Sequence, residues 1–369
     1  MDSEKRFELI SRNTEEVLTA EDLRRFLDEG TKLQHYIGFE ISGPVHLGTA
    51  STAIKIADFQ QAKVDCSIYL ASWHAWINNK LDGDLDTIER VGVGYFKESM
   101  KASLEAFGAD AEKVEFISGK ELYHHNDEYW KTVVEVSKHL TLHRALRAIT
   151  IMGRKEGENV DLGSLLYAPM QVADIFNQGI HIAHSGIDQR KAHVIARETA
   201  EKISSKPQKP VAVHGTLILG LQKPSEWPVP KERLQQLLSE QKMSKSVPNS
   251  SIWLHESEEA IREKINHAFC QERETSFNPV LDWCKKLLFY NPKFSLHVER
   301  PAKFGGNAGY HSFTELESDF AAGKLHPMDL KSAVAPAIAK LTAPARKRLS
   351  SPKNVKLREE LEGILEQRK

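Results

Sequence analysis

The sequence predicts an α/β protein, with a parallel-sheet domain carrying a helical insert and a smaller all-α domain after it. Short apolar runs alternate with amphipathic helical patterns through the first two thirds of the chain, as expected of strands joined by helical crossovers. The stretch between the third and fourth runs is too long for a simple crossover and reads as nearly all helix. Beyond residue 246 helical periodicity persists and strand alternation does not return.

The expected strands are residues 36–39, 66–71, 114–117, 180–183 and 211–214, and the helices between them 54–62, 84–107, 128–152 and 189–203. In such a sheet ligands bind at the carboxyl ends of the strands. Residues 128–178 form the insert, which is expected to carry a subunit interface. Residues 223–230 hold Trp227 and three prolines, cannot continue a helix and read as linker. Helices follow at 257–269, 279–289 and 328–341. In the tail, 346–369, Leu357, Leu361 and Leu365 at spacing four predict an amphipathic helix whose charges form a solvated face. The expected division is 1–220, a linker 221–250, and 251–369.

At 369 residues the chain exceeds what one core usually supports, and its 40% hydrophobic and 27% charged residues suit a globular protein. A net charge of -1 argues against a surface that grips nucleic acid all over, while allowing a local basic face. Cys66, Cys270 and Cys284 form no CxxC pair, which points to a reducing compartment and away from a zinc ribbon. His124 and His125 have no partners at metal-ligand spacing, so no metal site is expected. Residues 1–10 are charged and unlike a signal peptide, and no run approaches the roughly 18 apolar residues of a membrane span, so a cytosolic protein is expected.

Two short motifs carry the chemistry. His46-Leu47-Gly48-Thr49 follows the first expected strand across Ser42-Gly43-Pro44, where a helix start would present free N–H groups to a triphosphate. His46 would donate to a phosphate oxygen, and Gly48 would let the nucleotide approach the backbone. The plainer reading is a helix-start histidine with a packing glycine. Lys242-Met243-Ser244-Lys245-Ser246 offers two ammonium groups and two hydroxyls to a departing pyrophosphate; its plainer reading is a solvated loop. No GxxxxGK[ST] loop is present. Tyr167, Gln171 and Asp174, at i, i+4 and i+7, make a polar stripe on an otherwise apolar helix, costly to bury unless a ligand satisfies it. The turn Gly186-Ile187-Asp188-Gln189-Arg190-Lys191 would aim Gln189 at a ligand with Arg190 and Lys191 facing outward. Asp174, ionised and partly buried, can only accept a hydrogen bond.

These residues resemble class I aminoacyl-tRNA synthetases, whose HIGH and KMSKS signatures match His46–Thr49 and Lys242–Ser246. Tyr36 to Glu40, the Tyr167/Gln171/Asp174 stripe and the Asp188–Lys191 turn resemble the tyrosyl type of archaea and eukaryotes. So do Arg300 to Gly306 and Leu325 to Lys331, and the resemblance spans about residues 5–349. It implies a Rossmann-like catalytic domain and a C-terminal anticodon-binding domain. The implied reaction makes tyrosyl-adenylate from L-tyrosine and ATP, with Mg2+, then passes the tyrosyl group to the 3′ end of tRNA(Tyr). It further implies Tyr36 and Asp174 on the phenol, and Tyr167, Gln171 and Gln189 on the amino-acid backbone. Gly38, His46, Gly48, Thr49, Lys242, Ser244 and Lys245 would lie on ATP, with His46, Gly48, Lys242 and Lys245 catalytic. Arg147, Arg190 and Lys191 would meet the acceptor stem, and Phe304, His326 and Asp329 the anticodon. A homodimer is implied as well.

Thr49 departs from the signature's final His, and Tyr69, Ser72, Tyr123 and His124 depart at the pocket wall. The rivals are a tryptophanyl-tRNA synthetase, a small-molecule nucleotidyl transferase and an inactive RNA-binding relative. Asp174 argues against the first, since an indole N–H is served as well by a neutral acceptor. The helical C-terminal domain argues against the second, and the intact His46, Lys242 and Lys245 against the third.

Overall fold

Strand formation follows apolar content on both faces, because helices cover the sheet from either side. The computed structural model describes residues 1–369 apart from Ser246, Pro248 and Lys369. Its central sheet holds β1 (Thr14–Leu18), β2 (Gln34–Glu40), β3 (Asp65–Ala71), β4 (Val114–Ser118), β5 (Ile182–Gly186) and β6 (Val211–Gly215). The order is β1-β6-β5-β2-β3-β4, parallel throughout except for β1. Strand order reverses at β2, which pairs with β3 on one side and β5 on the other, and a crevice opens at their carboxyl ends.

The helices that place the site are α1 (Ser3–Ser11), α2 (Thr52–Gln61), α3 (Val93–Ala106), α4 (Asp127–Lys138), α5 (Leu142–Ala148), α6 (Tyr167–Asn177), α7 (Arg190–Thr199), α8 (Glu258–His267), α9 (Pro327–Leu349) and α10 (Pro352–Gln367). Side-chain caps set several starts: Asn126 accepts from Tyr129 N at α4, and His326 accepts from Met328 N at α9, where Pro327 takes the first turn.

Three expectations need correction. The insert is not continuous helix, since 153–162 is loop and turn around Gly153 and Gly157, both at positive φ. The later part is not purely helical, because β7 (Leu296–Val298) and β8 (Ala308–Tyr310) pair antiparallel. The 221–250 stretch is not all linker, for Leu234–Glu240 is helical and buries Leu237. One apolar core also runs from Leu9 in α1 through α2, α3, α8 and α9 to Leu361 in α10. A second lies around Tyr129, Met170 and Ile195, under α4, α6 and α7.

Candidate active site

A cavity of about 820 Å³ occupies the crevice. It is lined by Tyr36, Gly38 and Glu40 from β2, His46, Gly48 and Thr49 after it, Tyr167, Gln171 and Asp174 from α6, Asp188 and Gln189 after β5, and Lys242, Ser244 and Lys245. Every residue expected on the amino acid or on ATP is therefore brought to one cavity. Ser246 lies outside the described residues.

At the deep end Asp174 is fully buried. Its Oδ1 accepts hydrogen bonds from the hydroxyls of Tyr123 and Tyr129, each at 2.9 Å. The Tyr69 hydroxyl donates in turn to that of Tyr123. Oδ2 has no hydrogen-bond partner among the described residues; His74 Nε2 stands 3.8 Å away. Burial holds His74 neutral, pushing its pKa down to about 4, so it gives the carboxylate no countercharge. Burial likewise lifts the Asp174 carboxyl to about 8, against the pull of the two tyrosine bonds. This corrects the expectation of a partly buried group; the two tyrosine bonds favour the carboxylate form that burial opposes. Tyr36 flanks the same end, its hydroxyl lying where a Cβ on Gly38 would sit, so that only glycine fits there.

Further up α6, Gln171 Oε1 is buried and without a partner among the described residues. The Tyr167 hydroxyl donates to Glu40 (3.2 Å), which also accepts from Asn78 (2.7 Å) and faces Lys80 at 3.3 Å. Gln189 is oriented by donating to Ile151 O at 2.8 Å.

At the mouth, His46 caps the short turn Leu47–Ala50, and its Nδ1 accepts from Thr49 N at 3.2 Å. An accepting Nδ1 leaves the ring proton on Nε2. Burial, with Lys245 and Lys242 nearby, pushes the imidazole down to about 3, so the ring is neutral. The expected row of free helix-start N–H groups is absent among the described residues. Leu47 N donates to Ile252 O (2.8 Å), Gly48 N lies 3.0 Å from Met243 Sδ, and Thr49 N is used by His46. Gly48 is bare because a Cβ would stand 3.1 Å from His46 Nδ1 and 3.2 Å from Met243 Cβ. Close packing of the two motifs favours a glycine here. Lys242 Nζ pairs with Asp188 at 2.5 Å, and Lys245 Nζ donates to Ser42 Oγ at 3.0 Å. Desolvation pushes the Lys245 ammonium down to about 8.

The family model for class I tRNA synthetases (W and Y) matches residues 28–343. The chain belongs to this family. The synthetase is 51% identical over 356 residues to tyrosine–tRNA ligase of Thermococcus sibiricus, covering 94% of this chain and 95% of the relative. To that of Pyrococcus furiosus it is 53% identical over 357 residues, with the same coverage. Its fold superposes on tyrosyl-tRNA synthetase of Pyrococcus horikoshii complexed with L-tyrosine with a TM-score of 0.94, at 49% identity, covering 98% of this chain and 100% of that one.

Outside the cavity the synthetase exposes Arg147, Arg190 and Lys191. Lys191 Nζ donates to Arg147 O at 2.9 Å, joining those two, while Arg190 turns to Glu16 on β1 at 2.8 Å. Phe304 is exposed; Asp329 opens α9 beside His326, with Arg300 Nη1 3.7 Å from its carboxylate. Arg300 also donates to Gly306 O, tying the 301–306 loop to the start of α9. His74 and Tyr129 escaped the sequence reading. The aromatic run Ser72-Trp73-His74-Ala75-Trp76 directly after β3 was the available signal for His74, while Tyr129 reads as an ordinary core position of an amphipathic helix.

Proposed function

We propose a division of labour among the cavity residues of this tyrosine–tRNA ligase. Asp174 Oδ2 accepts the phenolic O–H of tyrosine, with Tyr36 beside it. Gln171, Tyr167 and Gln189 hold the amino-acid backbone, the unpartnered Gln171 oxygen taking the ammonium. This puts the tyrosine carboxylate toward the mouth, where ATP is held by Gly38, His46, Gly48, Thr49, Lys242, Ser244 and Lys245. A carboxylate oxygen attacks the α-phosphorus, the bond to the bridging oxygen breaks, and its electron pair leaves with pyrophosphate. His46 Nε2–H and the two ammonium groups stabilise the charge that develops there. The terminal ribose of tRNA then attacks the tyrosyl carbonyl and AMP departs.

ATP enters as its Mg2+ complex, the ion travelling with the substrate. Glu40 and Asp188 on the cavity wall already face Lys80 and Lys242. Arg147, Arg190 and Lys191 receive the acceptor stem of tRNA(Tyr), and Phe304, His326 and Asp329 its anticodon. Residues 1–220 are the catalytic domain, 221–250 carry the Lys242–Ser246 motif, and 251–369 form the anticodon-binding part. Leu142, Leu146 and Leu162 are exposed along the insert, an apolar face that suits a homodimer; light scattering at twice the chain mass checks it. Among the described residues no helix is long and apolar enough to cross a membrane, and the cytoplasm is the compartment of the reaction.

The observation that carries the reading is the single uncommitted oxygen of Asp174 at the cavity's buried end. Amino-acid-dependent exchange of labelled pyrophosphate into ATP tests it. Exchange with tyrosine and none with tryptophan or phenylalanine is the expected result, and exchange with tryptophan overturns the pocket assignment.

A further inference from the structure

The C-terminal helix α10 has no part in the reaction described so far, and among the described residues it does not line the cavity. Its leucine stripe faces the catalytic half. Leu361 is buried in the core, and Leu357 lies 3.7 Å from where a Cβ on Gly94 of α3 would sit. The charges are not simply solvated either: Glu360 pairs with Arg90 at 2.5 Å, and Glu362 stands 3.7 Å from His255 Nε2. Arg368 donates to Leu81 O.

Two of these contacts meet the backbone that carries the ATP-site residues. Gly43 has φ +128°, a conformation that favours glycine, and a Cβ there would lie 3.2 Å from Leu365 Cδ1. The Leu365 methyl is therefore packed against the Ser42-Gly43 turn, whose Ser42 Oγ accepts from Lys245 at 3.0 Å and whose Gly43 O lies 3.5 Å from the same nitrogen. The second contact is on the facing strand. His46 bridges Trp253, with Leu47 N donating to Ile252 O and Leu254 N to Val45 O. His255, one residue beyond, is held by the Tyr95 hydroxyl at 3.1 Å, and Glu362 of α10 stands 3.7 Å from its Nε2. Thus α10 packs on the Ser42-Gly43 turn and lies beside the segment that clasps His46.

We propose that Leu365 is a positioning residue for the adenylation step, holding the Ser42-Gly43 turn that fixes Lys245. The proposal rests on the assignment of Lys245 to ATP. In the full chain, Leu365→Ala is expected to lower kcat/KM for ATP in pyrophosphate exchange by roughly tenfold, as misplacement of a charged group by a fraction of an ångström does. Tyrosine binding at equilibrium stays unchanged, and Leu365→Met restores the rate. Combined with Lys245→Ala, the loss is no greater than for Lys245→Ala alone, because the two act through one contact. Arg368→Ala, at the exposed end of α10, repeats the test with the core intact. Unchanged ATP kinetics, an equal loss for ATP and tyrosine, or a loss that adds to that of Lys245→Ala overturns the proposal. Lys245→Ala alone reports separately on its assigned role: if exchange survives it, that assignment falls whatever Leu365 does.

Discussion

Two oxygens of one carboxylate do different work in Asp174. Oδ1 is committed to two tyrosines, and Oδ2 is left for a donor that only the ligand brings. An amide keeps only one oxygen: if that oxygen stays on the two tyrosine hydroxyls, the ligand meets an N–H where its phenol needs an acceptor, and if it turns to the ligand, the tyrosines meet the N–H instead. A buried polar group left without its partner costs about 1–3 kcal/mol, so Asp174→Asn is expected to raise the tyrosine KM roughly five- to hundredfold with little change for ATP. Steady-state exchange at varied tyrosine measures this. Lys245 sets the pH response at the other end of the cavity. Its pKa is lowered to about 8, so the cation that ATP needs is present below that pH and is lost as pH rises through it. In consequence kcat/KM for ATP falls above pH 8. Lys245→Arg, whose guanidinium stays charged, removes that alkaline fall while changing the plateau; a pH profile from 7 to about 10 distinguishes the two.

At the scale of elements, the two motifs behave as one packed unit. Met243 is buried against Gly48, and its N–H donates to Ile218 O at 2.7 Å, next to β6. Gly48→Ala drives a methyl into the His46 ring and Met243, which general overpacking places at about 1–3 kcal/mol. Urea unfolding is expected to register that loss, and the ATP KM to rise with it. Element boundaries were legible where burial on both faces leaves an unbroken apolar run, as in β3 and β6. They were less so where function intrudes: β5 begins two residues later than expected and continues through His184, Ser185 and Gly186, polar or small residues that face the cavity. The edge strand β1, Thr-Glu-Glu-Val-Leu, carries charges because one side is open, and its pairing with β6 depends on a partner about 200 residues away that no local pattern encodes. The candidate site was readable for a related reason. Its ligand-facing groups break the apolar periodicity of α6, whereas Tyr129, which also supports Asp174, fits the periodicity of a core and stays hidden in it.

Across the whole molecule, α9 joins the two ends of the proposed function. It has 23 residues, roughly 35 Å at 1.5 Å per residue. His326 and Asp329 stand at its start, while near its end Arg348 pairs with Glu98 at 3.0 Å and with Glu105 at 2.6 Å on the catalytic helix α3. Removing a side chain at the start leaves those pairs and the shared core untouched, since Asp329 contacts only the Arg300 side of the molecule among its ion pairs. Arg300 keeps its bonds to Gly306 O and Lys324 O, so the 301–306 loop holds its shape. Asp329→Ala is therefore expected to leave tyrosine-dependent pyrophosphate exchange at the wild-type rate while lowering kcat/KM for charging intact tRNA(Tyr), by roughly tenfold for a lost base contact. Charging of a minihelix that contains only the acceptor stem is expected to be unaffected, because that stem is assigned to Arg147 on α5 and to Arg190 and Lys191 on α7. A parallel loss in exchange and charging would instead mean that Asp329 acts on the catalytic half through α9, and would remove it from anticodon recognition.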